Sequence, residues 1–365
     1  MKEGITLNGA FYARNHLDQF EQTAKNDAER AYYKEIISFL EDWFSKNGYI
    51  YVNTSGSTGT PKPIRVQKKH MINSARLTCD FFSLKEHDSI LLCMPVRYIA
   101  GKMMLVRAII AQLNVCVEVP SGRPFACFNK PLEFAAMVPL QVFNSLQYAK
   151  DKERLQAVSN LLIGGGAIDE EMAFELKLFP NQVYSSYGMT ETVSHIAMRK
   201  LNGSDVLNRY YPLKSVELDK SKEDTLIIKA PLVSDEVLKT HDLVEFYEDG
   251  GFRVLGRLDN MINSGGVKIQ VEKVEEKLQN LIDTPYVLSS RKDTRLGEAL
   301  TLLIQSEPYD TTDLINKMKT VLTAYENPKN VFFTDHIPMT ETKKIRRAEC
   351  KELANKLYKQ FLDQE

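Results

Sequence analysis

The sequence predicts an α/β protein made of a large N-terminal α/β domain with a β-subdomain and a small, mobile C-terminal α+β domain. Strand-like and helix-like runs alternate between residues 49 and 191, which is typical of a largely parallel sheet covered by helices. Near Leu213 the pattern changes to short strands separated by turns such as Asp249-Gly250-Gly251. Residues 257–260 then lead into a compact α+β pattern, and we predict a hinge near Asp259 that separates domains at residues 1–258 and 259–365.

The composition is that of a folded protein. Hydrophobic residues make up 43% of the chain and charged residues 26%, so the chain can build a sizeable core. A net charge of −1 argues against nucleic acid or an anionic membrane as a partner. The five cysteines form no C-x-x-C pair, and no run of 18 apolar residues occurs. We expect a cytoplasmic protein with reduced thiols and no membrane span.

The elements are predicted from apolar periodicity. The first 48 residues look polar and helical, with an amphipathic helix over residues 24–43. In order, the following elements of the large domain are strands 49–52 and 63–66, helix 70–82, strand 89–95, helix 101–112, and strands 115–119, 161–167 and 182–187. The β-subdomain has strands 215–218, 225–228, 243–246 and 252–255. The last region has helix 271–282, strand 299–304, helix 310–322 and strand 331–333.

The loop between the first two strands has the composition of a phosphate-binding loop. Its glycines allow backbone N–H groups to converge on an anion, its hydroxyls add donors, and its lysine adds charge. These residues are Thr54, Ser55, Gly56, Ser57, Thr58, Gly59 and Lys62. The Walker A spacing is absent. The alternative is a flexible hairpin turn, but such turns seldom end in Pro-Lys-Pro. The loop favours a bound triphosphate.

Three further segments carry groups that suit a nucleotide. Residues 187–192 (YGMTET) offer hydroxyls and the Glu191 carboxylate, which suit a magnesium ion beside phosphate. Asp242 could bind two ribose hydroxyls, with Arg257 near it in sequence. Residues 338–347 form a basic loop. Alone, each segment also fits a strand end, a solvated turn or a surface charge run; their order on one chain favours a nucleotide site.

The ordered set TSGSTGTPK, YGMTET, T-x-D, GRLDNMINSGG and P-x-T-x-x-x-K-x-x-R resembles the adenylate-forming superfamily. This superfamily comprises acyl-CoA synthetases, peptide-synthetase adenylation domains and luciferases. The resemblance extends from about residue 50 to residue 347. It implies an AMP-forming acid–thiol ligase that uses ATP, Mg²⁺ and coenzyme A. Such an enzyme joins a carboxylic acid to AMP and then passes the acyl group to the thiol.

The resemblance also implies roles for individual residues. It gives Thr190, Glu191 and Lys344 catalytic roles: phosphate contact, magnesium binding, and bridging of the carboxylate and α-phosphate oxygens. The first loop binds the β- and γ-phosphates. The other implied nucleotide contacts are Gly165, Gly166, Tyr187, Gly188, Asp242 and Arg257. Asp259 matches the hinge about which the small domain rotates, and Gly265 and Gly266 line the thiol channel.

The acid is the harder assignment. By resemblance, Tyr98, Gly101 and Gly164 line the acyl pocket, with Tyr98 in the place of the family's histidine. Arg107 lies in an otherwise apolar helical run, where a charge is costly unless it is paired. It either extends to the helix surface or binds a second carboxylate of the substrate. The short chain and segments 163–168 and 190–194 are most similar to the o-succinylbenzoate–CoA ligase branch of menaquinone synthesis.

The chain departs from the family in two further respects, and other functions stay open. Lys343 stands where the residue before the catalytic lysine is usually glycine, and the region before the first loop is short. One alternative is a module that adenylates another aryl or acyl acid or loads a carrier protein. A non-catalytic nucleotide-binding relative is the other, against which Lys344, Glu191 and Asp242 argue. The oligomeric state stays open, a homodimer included.

Overall fold

The computed structural model describes residues 3–53, 63–126, 128, 130–168, 170–204, 206–340 and 344–363, and the predicted α/β class is confirmed. The helices are α1 (Asp18–Glu21), α2 (Asp27–Phe44), α3 (Lys68–Phe81), α4 (Ile99–Ala111), α5 (Pro139–Leu146), α6 (Ala149–Gln156), α7 (Glu170–Lys177), α8 (Val271–Leu278), α9 (Thr312–Val321) and α10 (Arg347–Leu362). Two short 3₁₀ turns lie at Pro124–Ala126 and Leu258–Asn260.

The strands up to the β-subdomain are β1 (Gly4–Leu7), β2 (Ala10–Ala13), β3 (Tyr49–Asn53), β4 (Pro63–Gln67), β5 (Ser89–Leu92), β6 (Asn114–Val117), β7 (Leu132–Met137), β8 (Val158–Ile163), β9 (Gln182–Gly188), β10 (His195–Lys200) and β11 (Tyr211–Pro212). The later strands are β12 (Glu217–Lys220), β13 (Thr225–Lys229), β14 (Leu238–Phe246), β15 (Phe252–Arg257), β16 (Met261–Ser264), β17 (Val267–Gln270), β18 (Tyr286–Asp293), β19 (Gly297–Gln305) and β20 (Asn330–Thr334).

The large sheet sets the position of the site. Its strand order is β11-β10-β9-β8-β7-β5-β6-β1-β2, and the neighbours from β9 to β1 are parallel. Side chains alternate between two buried layers: Ile90 and Leu92 pack with α2, α3 and α4, whereas Leu91 packs with α5, α6 and α7. Helices therefore cover both faces, and the loops after β8 and β9 lie side by side at the carboxyl edge.

The N-terminal segment is where the helical prediction is wrong. Residues 4–13 form the hairpin β1–β2, and β1 pairs in parallel with β6 at the end of the large sheet. Its turn, Asn8-Gly9, has φ values of 50° and 87°, as a two-residue hairpin requires. The Asn-Gly pair was the available signal. Strands β7, β10, β11, β16, β17 and β18 and helices α5, α6 and α10 were also not expected from the sequence.

The last hundred residues have their own sheet and core. The strand order in this sheet is β17-β16-β19-β18, and β20 pairs in parallel with β19. The two buried clusters beneath this sheet contain only residues from Ile262 onward, whereas the clusters of the large sheet stop before residue 259. This separation supports the boundary at residue 259, which stays a prediction. In the described part of the chain, no helix is long and apolar enough to cross a membrane.

Replacing Gly9 by alanine tests the hairpin. We expect the free energy of unfolding to fall by about 1 kcal/mol, because the left-handed conformation is unfavourable for a residue with a Cβ atom. Gly48→Ala is the matched control, since Gly48 has no positive φ and its added Cβ would meet no atom within 4 Å. Urea titration of the three proteins gives the comparison. Equal stability of Gly9→Ala and Gly48→Ala would contradict the left-handed turn.

Candidate active site

A cleft of about 1330 Å³ lies between the carboxyl edge of the large sheet, the β-subdomain and the C-terminal unit. It brings together residues that are more than 170 positions apart in sequence. Of the residues expected at the nucleotide or the hinge, those lining the cleft are Gly165, Gly166, Tyr187, Gly188, Asp242, Arg257, Asp259 and Lys344. The large sheet, β14–β15 and the C-terminal basic segment thus contribute to one site.

The glycines of the cleft lie where strands end or approach closely. Gly164 to Gly166 follow β8, and Gly165 has a φ of 84° that permits the sharp exit from the strand. Gly188 ends β9. A Cβ atom on Gly188 would lie 2.2 Å from the backbone oxygen of Ser194, so only glycine allows β9 and β10 to approach here.

Two side chains hold the carboxylate of Asp242 in the cleft. It lies opposite Arg257 in the β14–β15 ladder and accepts a hydrogen bond of 2.9 Å from Arg257 Nη1. Tyr187 O–H donates to the other carboxylate oxygen at 2.5 Å. Burial, together with the adjacent Asp242 carboxylate, raises the pKa of Tyr187 strongly, so the phenol stays protonated and donates. The link between Tyr187 and Asp242 was not foreseen, and the sequence carries no signal for it.

Arg257 bridges two carboxylates. Its Nη2 donates to Asp259 Oδ2 at 2.8 Å, and Asp259 Oδ1 lies 2.5 Å from Nδ1 of His241. The predicted hinge residue is therefore tied through one guanidinium to the predicted ribose residue. His241, next to Asp242 in sequence, was not singled out from the sequence.

Lys344 enters the cleft from the C-terminal segment. Its backbone N–H donates to Thr340 Oγ1 at 3.0 Å, and its carbonyl accepts from Thr340 N–H at 2.8 Å. The side chain is half-buried. Burial lowers the pKa of Lys344, and the positive charge of Arg257 lowers it further, while Asp242 opposes the shift. The charges of Asp242 and Arg257 therefore both act on the Lys344 ammonium group. Lys343 lies outside the described residues.

Other predicted residues lie elsewhere or cannot be placed. The first loop, with Thr54, Ser55, Gly56, Ser57, Thr58, Gly59 and Lys62, lies outside the described residues; β3 and β4 on either side of it pair antiparallel, with Asn53 opposite Pro63. Thr190 and the exposed Glu191 lie in the loop after β9. They do not line the cleft in this conformation.

The predicted acyl and thiol residues do not line the cleft either. Tyr98 is the N-cap of α4, and Gly101 lies in its first turn, where an added Cβ would be 2.5 Å from Pro95 O. Gly164 lies at the end of β8, where an added Cβ would be 2.5 Å from Ser186 Oγ. Gly265 and Gly266 form the left-handed turn between β16 and β17, with φ values of 61° and 84°.

Arg107 is buried, so the alternative in which it extends to the surface is wrong. It is 2% exposed, and its Nη2 donates to Ser194 Oγ at 3.1 Å. Nη1 reaches only the weak acceptor Met104 Sδ, at 3.4 Å, and Nε has no partner. The ion pairs among the described residues include none from Arg107, and burial lowers its pKa to about 10. Among the described residues, no carboxylate pairs with this guanidinium.

Comparison with known proteins supplies the family. The sequence profile of the AMP-binding enzyme family matches residues 16–219, more than half of the chain. The solved structure of an acyl-CoA synthetase (AMP-forming)/AMP-acid ligase II-like protein from Dyadobacter fermentans is 30% identical. That match covers 92% of this chain and 97% of the other, with a TM-score of 0.61.

Two further relatives carry a more specific name. The 2-succinylbenzoate–CoA ligase of Haemophilus influenzae is 27% identical over 73% of this chain, which spans 61% of that protein's length. The o-succinylbenzoate CoA synthetase of Bacillus subtilis has been solved with the acyl-adenylate intermediate. It is 20% identical, with coverage of 93% of this chain and 81% of the other and a TM-score of 0.69, and it shows that the fold is shared.

The profile match and the Dyadobacter relative indicate an AMP-binding enzyme, and the residues predicted to contact the nucleotide line one cleft. The chain belongs to the family of AMP-binding enzymes.

Proposed function

We propose that this protein is an AMP-forming acyl-CoA ligase that adenylates a carboxylic acid with ATP and transfers the acyl group to coenzyme A. The observation that carries the proposal is the convergence of Lys344, Asp242 and Arg257 on one cleft at the carboxyl edge of the large sheet. A carboxylate that accepts hydrogen bonds from ribose and a cation that meets the phosphate are groups that acyl adenylation needs.

The chemistry of the first step suits this electrostatic arrangement. A carboxylate that attacks the α-phosphorus of ATP brings two anions together, and pyrophosphate leaves as the acyl–phosphate bond forms. Lys344 would neutralise charge on the attacking and α-phosphate oxygens, which is worth most in a site from which water is excluded. Asp242 would accept hydrogen bonds from the ribose hydroxyls while Arg257 holds it in place.

Magnesium would assist at the phosphates. The described residues include no cluster of three or more His, Cys, Asp or Glu side chains able to hold a metal by themselves. A single exposed carboxylate, Glu191, suits Mg²⁺, because this ion usually keeps several waters and binds one or two carboxylates together with substrate phosphates. Glu191 would hold the ion, Thr190 would contact phosphate, and the ion would neutralise charge on the leaving pyrophosphate.

The thioester step needs a different arrangement of the C-terminal segment. Lys344 occupies the cleft in this structure, where it would exclude an approaching thiol. A rotation about Asp259 would withdraw Lys344 and bring Gly265 and Gly266 toward the acyl group. Release of the contacts that Asp259 makes to Arg257 and His241 would accompany that rotation. Domains 1–258 and 259–365, with the hinge between them, are part of this proposal.

We further propose o-succinylbenzoate, the aromatic dicarboxylic acid of menaquinone biosynthesis, as the substrate. Two observations support it: the name of the relative at 27% identity, and the buried Arg107 without a counter-anion. A second carboxylate on the acid would supply that anion. Four buried free thiols (Cys79, Cys93, Cys116 and Cys350) suit a cytoplasmic location. A homodimer stays open as the oligomeric state.

The test of the function is acid-dependent exchange of labelled pyrophosphate into ATP across a panel of aromatic, fatty and dicarboxylic acids. We expect Mg²⁺-dependent exchange with o-succinylbenzoate, and thioester formation when coenzyme A is added. Exchange with no acid in the panel would overturn the ligase assignment. A carrier protein bearing a phosphopantetheine thiol, offered in place of coenzyme A, tests the carrier-loading alternative.

Lys344→Ala should abolish adenylation and largely spare thioester formation from a supplied acyl-adenylate. The charge of Lys344 is needed only where the two anions meet, and removal of one preorganised contact of this kind costs roughly 10²-fold or more in kcat. Lys343→Ala is the control, with pyrophosphate exchange as the first measurement and thioester formation as the second. A severe loss in Lys343→Ala with a mild one in Lys344→Ala would reverse the assignment of the two lysines.

Arg107→Leu should weaken the use of o-succinylbenzoate by about one to two decades in kcat/KM, because a charge-assisted hydrogen bond contributes about 1.5–3 kcal/mol. Turnover of benzoate, which lacks the second carboxylate, should change little. The steady-state rates with both acids give the comparison. Equal losses on the two acids would mean that Arg107 stabilises the fold and does not bind substrate.

A further inference from the structure

A buried chain of hydrogen bonds connects Arg107 on α4 to helix α3. Arg107 Nη2 lies 3.1 Å from Ser194 Oγ, which lies 3.3 Å from Nδ1 of His195. Nε2 of His195 lies 3.0 Å from Thr78 Oγ1, which lies 3.0 Å from the backbone oxygen of Ser74. Thr78 is fully buried, and His195 is 5% exposed. Four residues from two helices and the start of β10 therefore form one chain without a carboxylate.

The direction of each hydrogen bond in this chain follows from its far end. The Ser74 carbonyl can only accept, so Thr78 O–H donates to it. A hydroxyl has one proton, and Thr78 Oγ1 must therefore accept its other hydrogen bond. The donor is His195 Nε2–H. Because the imidazole is neutral with its proton on Nε2, Nδ1 carries a lone pair.

The other half of the chain agrees with this assignment. Burial, and secondarily the positive charge of Arg107, lowers the pKa of His195 well below its usual range, which keeps the imidazole neutral. Ser194 O–H then donates to the lone pair on Nδ1. The Ser194 oxygen is left as an acceptor for Arg107 Nη2, and a guanidinium can only donate. Ser194, His195 and Thr78 each donate one hydrogen bond and accept one, between the guanidinium, which only donates, and the Ser74 carbonyl, which only accepts.

We propose that Ser194, His195 and Thr78 are positioning residues that hold the guanidinium of Arg107 for the distal carboxylate of the acid, with His195 as the neutral Nε2–H tautomer. This inference rests on the proposed function. Of the contacts that Arg107 makes to the described residues, only the one to Ser194 is directional, since Met104 Sδ is a weak acceptor and the Phe134 ring lies 5.9 Å from the guanidinium carbon. Loss of the chain would leave the guanidinium free to reorient.

The hydrogen-bond chain lies next to the turn that carries the proposed phosphate and magnesium residues. Ser194 lies three residues after Glu191, and His195 pairs with Gly188 at the start of β10. Thr192 Oγ1 fixes this turn through the Met189 N–H and the Ser194 carbonyl. The orientation of Arg107 is thus set by the same turn that carries the proposed phosphate and magnesium residues. Acid recognition and nucleotide binding would share one rigid element.

The kinetic test uses Thr78→Val and Ser194→Ala, singly and together. Each single change should raise the KM for o-succinylbenzoate by about 3- to 10-fold, the effect of one lost hydrogen bond, with kcat and the KM for ATP little changed. Since both residues act through one chain, Thr78→Val should add nothing in the Ser194→Ala background. Thr78→Ser, which keeps the hydroxyl, should restore the KM. Multiplied effects in the double variant, or a Thr78→Ser variant as impaired as Thr78→Val, would overturn the inference.

A second measurement does not depend on turnover. ¹⁵N NMR of the full chain labelled at its six histidines, compared with the spectrum of His195→Gln, identifies the His195 ring, which should be neutral with its proton on Nε2. A proton on Nδ1, or a charged ring near neutral pH, would overturn the assigned chain even if o-succinylbenzoate is the substrate. Conversely, an Nε2–H signal in a protein that shows no acid-dependent exchange would refute the proposed function and the positioning role together, while the hydrogen-bond directions would stand.

Discussion

One guanidinium held between two carboxylates is the interaction on which the rest of the cleft depends. Arg257 donates to Asp242 on one side and to Asp259 on the other, at 2.9 and 2.8 Å. The first carboxylate belongs to the β14–β15 ladder, and the second lies where the chain leaves β15 for the C-terminal unit. Because both pairs are partly shielded from solvent, they hold the Asp242 carboxylate and the proposed hinge in a fixed relation.

The positive charge of Lys344 lies close to this bridge. In this structure Lys344 shares the cleft with the Asp242–Arg257 pair, and its pKa is lowered by burial and by the neighbouring Arg257 charge. Anionic phosphate would relieve the repulsion between the two cations. Binding of ATP and the closed position of the C-terminal segment would therefore favour each other, and loss of pyrophosphate would weaken that closure.

The two central arginines differ in what balances their charge. Arg257 has two carboxylates, whereas Arg107 has a serine hydroxyl, a thioether and an aromatic ring. A buried cation without an anion lowers the free energy of unfolding. We therefore expect Arg107 to destabilise the fold unless a ligand supplies an anion. A neutral His195 in the adjacent chain avoids a second buried cation beside it.

The sequence by itself determined the α/β class and the family, because strand and helix periods and sequence motifs are local properties. A separate C-terminal unit was an expectation from the same patterns. It also predicted nucleotide contacts for Asp242, Arg257 and Lys344, and the fold gathers these three residues in one cleft. Apolar periodicity did not predict the hairpin at residues 4–13, because β1 is stabilised by pairing with β6, which is distant in sequence. Only the tertiary structure decided that Arg107 is buried beside Ser194 and His195 and that Arg257 joins two carboxylates. Those contacts link residues from different elements, and neither spacing nor composition encodes which side chains will meet.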